Sequence, residues 1–347
     1  MKKEDLIIID GAEGGGQILR TALALSVITK KAFRMVNIRK GRGKPGLQPQ
    51  HLEAVQAAAK ISEAEAEGLI LGSCEITFIP KTIKSGNYKF EITTAGSTSL
   101  LLHTIYLPLS FSNSASKLTL RGGTHVAWSP TYDYLKECWQ WFMNKVGIHI
   151  NVKIIRAGFF PHGGGVIEAE IKSSTKIKPL HLIQRGKLQS IYVYSAHTNL
   201  EDKVAIRQAE RAKNILSKYV SSEDIIKVRL DELDSYSKNT TIAIIVVFEN
   251  TVCCYTGLGE KGKAAEKVAE EACRKFISFF NSPATVDDYM ADQILLPLIL
   301  SRQYSEFICK EVTLHLESNM NTINKFVSVC FQSEKVSENG YKIKIIP

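Results

Sequence analysis

Nowhere in the 347 residues does an apolar run reach the ~18 positions that a membrane-spanning helix requires. No transmembrane anchor is therefore expected. The amino terminus, "MKKEDLIIIDG", passes from two lysines and two acids straight into a short apolar run, without a signal-peptide core or cleavage site. The expectation is a cytoplasmic chain. Cysteine occurs seven times but never as a C-x-x-C pair, so a cysteine metal site and a disulfide framework are both disfavoured. The thiols are expected to be reduced and buried in their apolar surroundings. Aromatic residues make up only 8% and form no RNP-like cluster, which argues against a simple RNA-binding module built on base stacking. Acid is also in short supply: 35 Asp and Glu stand against 44 Lys and Arg, a net charge of +9. That balance favours a polyanionic partner. It is sharpest in "KKAFRMVNIRKGRGK", residues 30 to 44, where seven basic residues are met by no acid.

What is present is an ordinary globular composition, 44% hydrophobic and 23% charged, in a chain long enough for more than one unit. A recurring pattern runs through it, an apolar helix followed by Gly and a short alternating strand. "QPQHLEAVQAAAKISEAEAEGLILGSCEITFIP" shows it first, with Leu52, Val55 and Ala59 on one helical face. "PTYDYLKECWQWFMNKVGIHINVKIIRAGFFPHGGGVIEAEI" shows it next, and "VDDYMADQILLPLIL", followed later by "NTINKFVSVCFQS", gives a third. About three α+β modules sharing one large domain are expected, over residues 1–186 and 276–347. Residues 187–275 read differently, as a β-α-β-β-α set with two amphipathic helices. They are expected to form a smaller inserted α/β domain.

"DGAEGGGQILR", residues 10 to 20, sits between a strand and a helix, where phosphate is often held. It is not a Walker A loop, because Gln17 and Ile18 occupy the positions of Lys and Ser/Thr. It is not a dinucleotide loop either, since Leu19 stands where the third glycine must be. The carboxylate of Glu13 in such a loop would repel phosphate unless a cation lay between, which points to a Mg²⁺ contact. Gln17 and Arg20 close the loop. "TTAGSTSLLLHTI", "LRGGTHVAWSP" and "RAGFFPHGGGVIE" are further Gly-containing turns able to gather round one polyanionic ligand.

Taken in order, "DGAEGGGQILR", "IRKGRGKPGLQPQHL", "TAGSTSLLL", "RGGT", "GFFPHGGG", "YMADQILLPL" and "HLESN" resemble the RNA 3′-terminal phosphate cyclase family from near the amino terminus to about residue 326. The resemblance implies a large domain of three similar units, each of two helices on a four-stranded sheet, with the smaller domain inserted before the third. It implies a reaction in which a histidine takes AMP from ATP, passes it to an RNA 3′-phosphate, and the neighbouring 2′-OH then closes a 2′,3′-cyclic phosphate. His315, in "VTLHLESN", matches the nucleophile. A neutral imidazole suits that relay, because its reference pKa of about 6.5 leaves it nucleophilic near pH 7.

The stretch Tyr289, Met290, Ala291, Asp292, Gln293 matches the adenosine-binding segment, where Tyr289 would stack on the base and Asp292 and Gln293 would project from one side of the helix. Pro130 would cover the other face of the adenine. His103 stands where relatives commonly carry a Gln that contacts ATP; Gln17 and Arg20 complete that set. Arg39, Arg42 and Lys44 are suited to gripping phosphate oxygens, and Gln50 and His51 to lining the same cleft. Glu13 is the expected contact for Mg²⁺ (or Mn²⁺). ATP, the divalent ion and an RNA with a 3′-terminal phosphate are the implied ligands, with no membrane partner and a homodimer left open. Two other readings compete: a non-catalytic cyclase-like protein of ribosomal RNA processing, which would lack the histidine, and an enolpyruvyl transferase, which would need neither that histidine nor the basic strip.

Overall fold

The computed structural model describes residues 6–12, 14–174 and 176–347. Its first sheet is formed by β1 (Ile7–Asp10), β2 (Phe33–Val36), β3 (Glu65–Glu67) and β4 (Ile76–Ile79), with α1 (Gly16–Thr29) and α2 (Pro49–Ser62) as connections. The order across the sheet is β1-β2-β4-β3. Parallel β1 and β2 flank α1, and the remaining pairs are antiparallel. A second sheet follows, from β5 (Asn87–Glu91), β6 (Ser116–Gly122), β7 (Ile150–Arg156) and β8 (Gly165–Ile171), in the order β5-β6-β8-β7. Here α3 (Thr98–Ser110) connects the parallel pair. The segment α4 (Tyr132–Tyr134), a π-helical turn at Leu135–Trp139 and α5 (Gln140–Lys145) leads on to β7.

The next strand, β9 (His181–Leu182), leaves its partner far downstream. Between them in sequence lie β10 (Leu188–Thr198), α6 (Lys203–Leu216), β11 (Ile226–Glu232), β12 (Asn239–Phe248), β13 (Val252–Leu258) and α7 (Ala265–Phe280), whose strands make a separate sheet in the order β11-β10-β12-β13. The chain then continues through α8 (Met290–Gln293), α9 (Leu295–Leu300), β14 (Ser305–Cys309), α10 (Leu314–Phe326), β15 (Cys330–Ser337) and β16 (Gly340–Ile346). β9 pairs in parallel with β14, and β16 and β15 extend that sheet antiparallel. The fold is thus mixed α+β with four four-stranded sheets, three of which share one strand order and one pattern of parallel and antiparallel pairs.

Burial explains the sequence patterns. α1 reads apolar almost all round, and Ile18, Leu19 and every residue from Thr21 to Val27 are buried, because the helix packs against α2, α3 and α10 together. It stops where Lys30 turns into the left-handed region at φ 56°. β12 is a nearly continuous apolar run since both faces are covered. Ala243 and Ile245 join the main core, while Ile242, Ile244 and Val246 pack under α6 and α7. On the open side of those two helices, Arg207 pairs with Glu266 at 2.8 Å and Arg211 with Glu270 at 2.7 Å.

Several expectations need correction. The buried stripe of α2 is Ala54, Val55, Ala57, Ala58 and Ile61, while Leu52 and Ala59 are only partly buried. "TTIAIIVVFENTVCCYT" is two strands of a hairpin, and the boundary expected at residue 275 falls inside α7. "VDDYMADQILLPLIL" forms two short helices instead of one. Five thiols are buried as expected, but Cys74 and Cys330 are exposed. Among the described residues no helix is long and apolar enough to cross a membrane.

Candidate active site

The amino terminus of α1 is a close meeting point. Gly15 caps it in extended conformation with no side-chain cap, so the first-turn N–H groups are left to a ligand or solvent. A Cβ on Gly16 would lie 2.6 Å from His51 Nε2 and 2.9 Å from a terminal nitrogen of Arg20. One on Gly15 would lie 3.5 Å from a terminal nitrogen of Arg42. The bare backbone at Gly16 lets His51 and Arg20, from α2 and α1, approach this closely, while Arg42 of the basic loop stands at ordinary contact distance beside Gly15. His51 Nδ1 accepts the N–H of Gln48 at 3.2 Å, closing a reciprocal cap at the start of α2. Burial, with Arg20 and Arg39 nearby, lowers its pKa to about 3, so the ring is neutral. Gln50 accepts the N–H of Ser97 at 3.2 Å and thereby joins α2 to the turn before α3.

α10 faces this point from the other side. Thr313 caps it by accepting the Leu316 N–H at 3.1 Å, which fixes the first turn that carries His315. A polar ladder then ties α10 to α1. Gln17 Nε2 donates to Ser318 Oγ at 2.9 Å, Ser318 Oγ donates to the His315 carbonyl at 3.1 Å, and Thr21 Oγ1 donates to Asn319 Oδ1 at 2.8 Å. Asn319 Nδ2 reaches the Asp292 carboxylate at 3.5 Å. His315 is exposed. Its pKa is lowered by partial enclosure first and then by the positive charges of Arg20 and Arg42, so the imidazole is held neutral and nucleophilic.

Between these helices lies a cavity lined by Gln17, Arg20 and Thr21 of α1, His103 and Tyr106 of α3, Trp139, Asp292, Gln293, Leu296 and Asn319. Its electrostatics are opposed. Burial lowers Arg20 to about 10, partly offset by Asp292, and burial raises Asp292 to about 7 against the pull of Arg20. His103 is driven down to about 3 by burial and then by Arg20, and its ring packs 5.0 Å from that of Trp139. Three buried polar atoms on this lining have no partner among the described residues: His103 Nε2, Trp139 Nε1 and Gln293 Oε1. Unpaired buried polar groups cost free energy, so a polar ligand or water would be drawn to them.

The expected site residues are therefore partly gathered and partly not. His103, Asp292, Gln293, Gln17 and Arg20 share the cavity. Met290 and Ala291 do not contribute side chains to it, because both are buried in the apolar core. Tyr289 and Pro130 lie off its lining. Tyr289, 41% exposed, precedes α8 instead of lying within it, and its ring meets Tyr134 edge-on at 5.8 Å. Arg39 spends its guanidinium on its own loop, donating to the Lys44 carbonyl at 2.7 Å and the Gly46 carbonyl at 3.2 Å. Arg42 and Lys44 are exposed. The metal contact expected of Glu13 lies outside the described residues.

Asp287 was not singled out in the sequence. It is fully buried, and its carboxylate accepts the N–H groups of Tyr289 at 3.0 Å and Met290 at 2.8 Å, the Tyr134 hydroxyl at 2.9 Å and the Cys138 thiol at 3.2 Å. Burial raises its pKa to about 6, against the pull of the Cys138, Met290 and Tyr134 donors. An Asp just before a helix was the available signal; the tyrosine and thiol donors come from 153 and 149 residues away.

The model of the family described as RNA 3′-terminal phosphate cyclase matches residues 11–333. A protein of Sulfurisphaera tokodaii named RNA 3′-terminal phosphate cyclase is 41% identical over 331 residues, 94% of this chain and 96% of its own length. Proteins of the same name from Nostoc punctiforme and Pseudomonas fluorescens are 38% and 36% identical, the first covering 92% of this chain and 94% of its own, the second 99% and 98%. Matches spanning both the Gly loop at α1 and the His315 turn of α10 embrace every element that builds the cavity. The chain belongs to the RNA 3′-terminal phosphate cyclase family.

Proposed function

We propose that this protein converts an RNA 3′-terminal phosphate into a 2′,3′-cyclic phosphodiester at the expense of ATP, through AMP carried on His315. The observation that supports it most is that the helix carrying His315 is tied through Ser318 and Asn319 to the Gln17 and Thr21 side chains that line the cavity, with Arg20 and Arg42 close enough to lower the pKa of His315. An imidazole nitrogen attacks the α-phosphorus of ATP and pyrophosphate leaves. The AMP then passes to a terminal oxygen of the RNA 3′-phosphate, freeing the imidazole. The 2′-oxygen attacks that phosphorus, loses its proton, and AMP departs. Arg20 and Arg42 offset phosphate charge in the first two steps, and His103, Gln293 and Asp292 bind the nucleoside. Carboxylate oxygen is the donor that Mg²⁺ or Mn²⁺ takes, and Mg²⁺ at a nucleotide is commonly held by one or two carboxylates plus substrate phosphates. Glu13 is assigned that contact; the bound ion would neutralise charge on the departing pyrophosphate.

We further infer that the three sheets of like order are copies of one unit, and that the fourth, with α6 and the whole of α7, is an inserted domain. The activity is tested by incubating the protein with ATP, Mg²⁺ and RNA ending in a 3′-phosphate or a 3′-hydroxyl. The phosphorylated end should become resistant to phosphatase with release of AMP, and the hydroxyl end should be inert. A phosphate that stays fully phosphatase-sensitive would favour the non-catalytic cyclase-like reading.

A further inference from the structure

Three large rings stand in water on neighbouring loops, and the proposed chemistry at the phosphate uses none of them. Trp128 is 100% exposed, Phe160 76% and Tyr236 63%. Trp128 also holds a left-handed backbone, φ 63°, a costly conformation for a bulky side chain that is found most often at functional sites. The loops form one rim. The N–H groups of Thr124 and His125 both donate to the Gly158 carbonyl, at 2.9 and 3.0 Å, and the His125 ring stacks on Phe159 at 5.1 Å. The Ala157 N–H donates to the Asp234 carbonyl at 2.8 Å. His125 is itself locked, with Nδ1 2.8 Å from Thr124 Oγ1 and Nε2 3.2 Å from Asp133. A cation belongs to the rim as well: the Arg156 guanidinium lies 4.4 Å above the Tyr236 ring.

The rim continues into the candidate site at both ends. On one side Gly123 bonds to Gly96 at 2.8 Å, and the adjacent Ser97 bonds to Gln50, the neighbour of His51. On the other, Tyr134 bonds to Asp287 below Tyr289. We propose that Trp128, Phe160 and Tyr236 form a stacking surface for the bases of the RNA that lead up to its reacting 3′ end. The inference rests on the RNA-end chemistry proposed above. Separate rings on stiff loops, with a guanidinium among them and a net charge of +9 behind them, match the way single strands are held without sequence preference. Exposed rings with an Arg also occur at protein interfaces; the excess of positive charge is what favours a nucleic acid here.

The test compares kcat/KM for a 3′-phosphorylated dodecanucleotide with that for a 3′-phosphorylated dinucleotide, which offers only one base upstream of its reacting end. Trp128→Ala and Phe160→Ala should each lower the ratio of the two roughly tenfold, and Trp128→Phe, which keeps a ring, should restore most of it. A ratio that stays at the wild-type value in both alanine variants would overturn the proposal and leave the rim to a protein partner. The fluorescence of the wild-type protein gives a second reading, since Trp139 is buried and Trp141 half-buried. RNA without ATP should quench the wild-type protein but not Trp128→Phe, and quenching by ATP alone that is lost in Trp128→Phe would instead put the Trp128 ring on the nucleotide and overturn the proposal. If the RNA-end chemistry fails but the stacking surface is real, RNA still quenches while no cyclic phosphate forms.

Discussion

His315 is useful as a nucleophile only while its ring is unprotonated, and its surroundings decide how far down the pH scale that holds. Partial enclosure, Arg20 and Arg42 all disfavour the imidazolium. The sign is simple: a lowered pKa keeps the base free at pH values where an ordinary histidine would already carry a proton. The rate of AMP transfer to the protein is therefore expected to stay flat as pH falls through 6.5 and to decline only below it. Arg42→Ala removes one of the opposing charges, so its acid limb should move up toward 6.5, which a pH profile of the single-turnover rate measures. An acid limb at the same position in both proteins would separate Arg42 from the ring. At this scale the sequence was informative where chemistry and motif coincide, as at Asp292 and Gln293, which line the cavity, and uninformative where burial decides. Trp139 and Tyr106 are not marked out by any motif, yet they wall the cavity beside His103. Arg39 read as a free phosphate ligand, but it closes its own loop.

At the scale of elements, Asp287 connects the chain before α8 to the helical segment that begins at Tyr132. Its one carboxylate serves four donors, two of them the free N–H groups at the start of α8. Asp287→Ala would take the acceptor from the Tyr134 hydroxyl and the Tyr289 N–H, while the Met290 N–H keeps the backbone carbonyl of residue 287 at 3.1 Å, a loss of about 2 kcal/mol or more. Asp287→Asn keeps one acceptor oxygen and should cost markedly less. Urea denaturation of the two variants measures the difference. Equal midpoints would mean that water already satisfies these donors in the folded protein. Helix starts were legible where a hydroxyl precedes an apolar run, as at Ser97 before α3 and Thr313 before α10. The break between α8 and α9 and the π-helical turn at Leu135–Trp139 were not, because both depend on packing between distant segments.

Across the whole molecule, glycine and period marked the α+β character and the change of pattern after residue 187, but strand order was out of reach of either. β9 finds β14 only after the whole fourth sheet has intervened, and no local signal encodes a pairing over that distance. That long-range pairing, together with the packing of α1 against α10, brings the two ends of the chain into one site. The Gly loop comes from residues 10 to 20 and His315 from the last helix. The account therefore stands on whether the cavity they enclose loads a nucleotide onto that histidine. Incubation with α-labelled ATP and Mg²⁺ should leave label on the protein that is lost in acid and kept in alkali, as a phosphoramidate requires, and His315→Ala should abolish it. Label that persists in that variant, or that survives acid, would contradict the account.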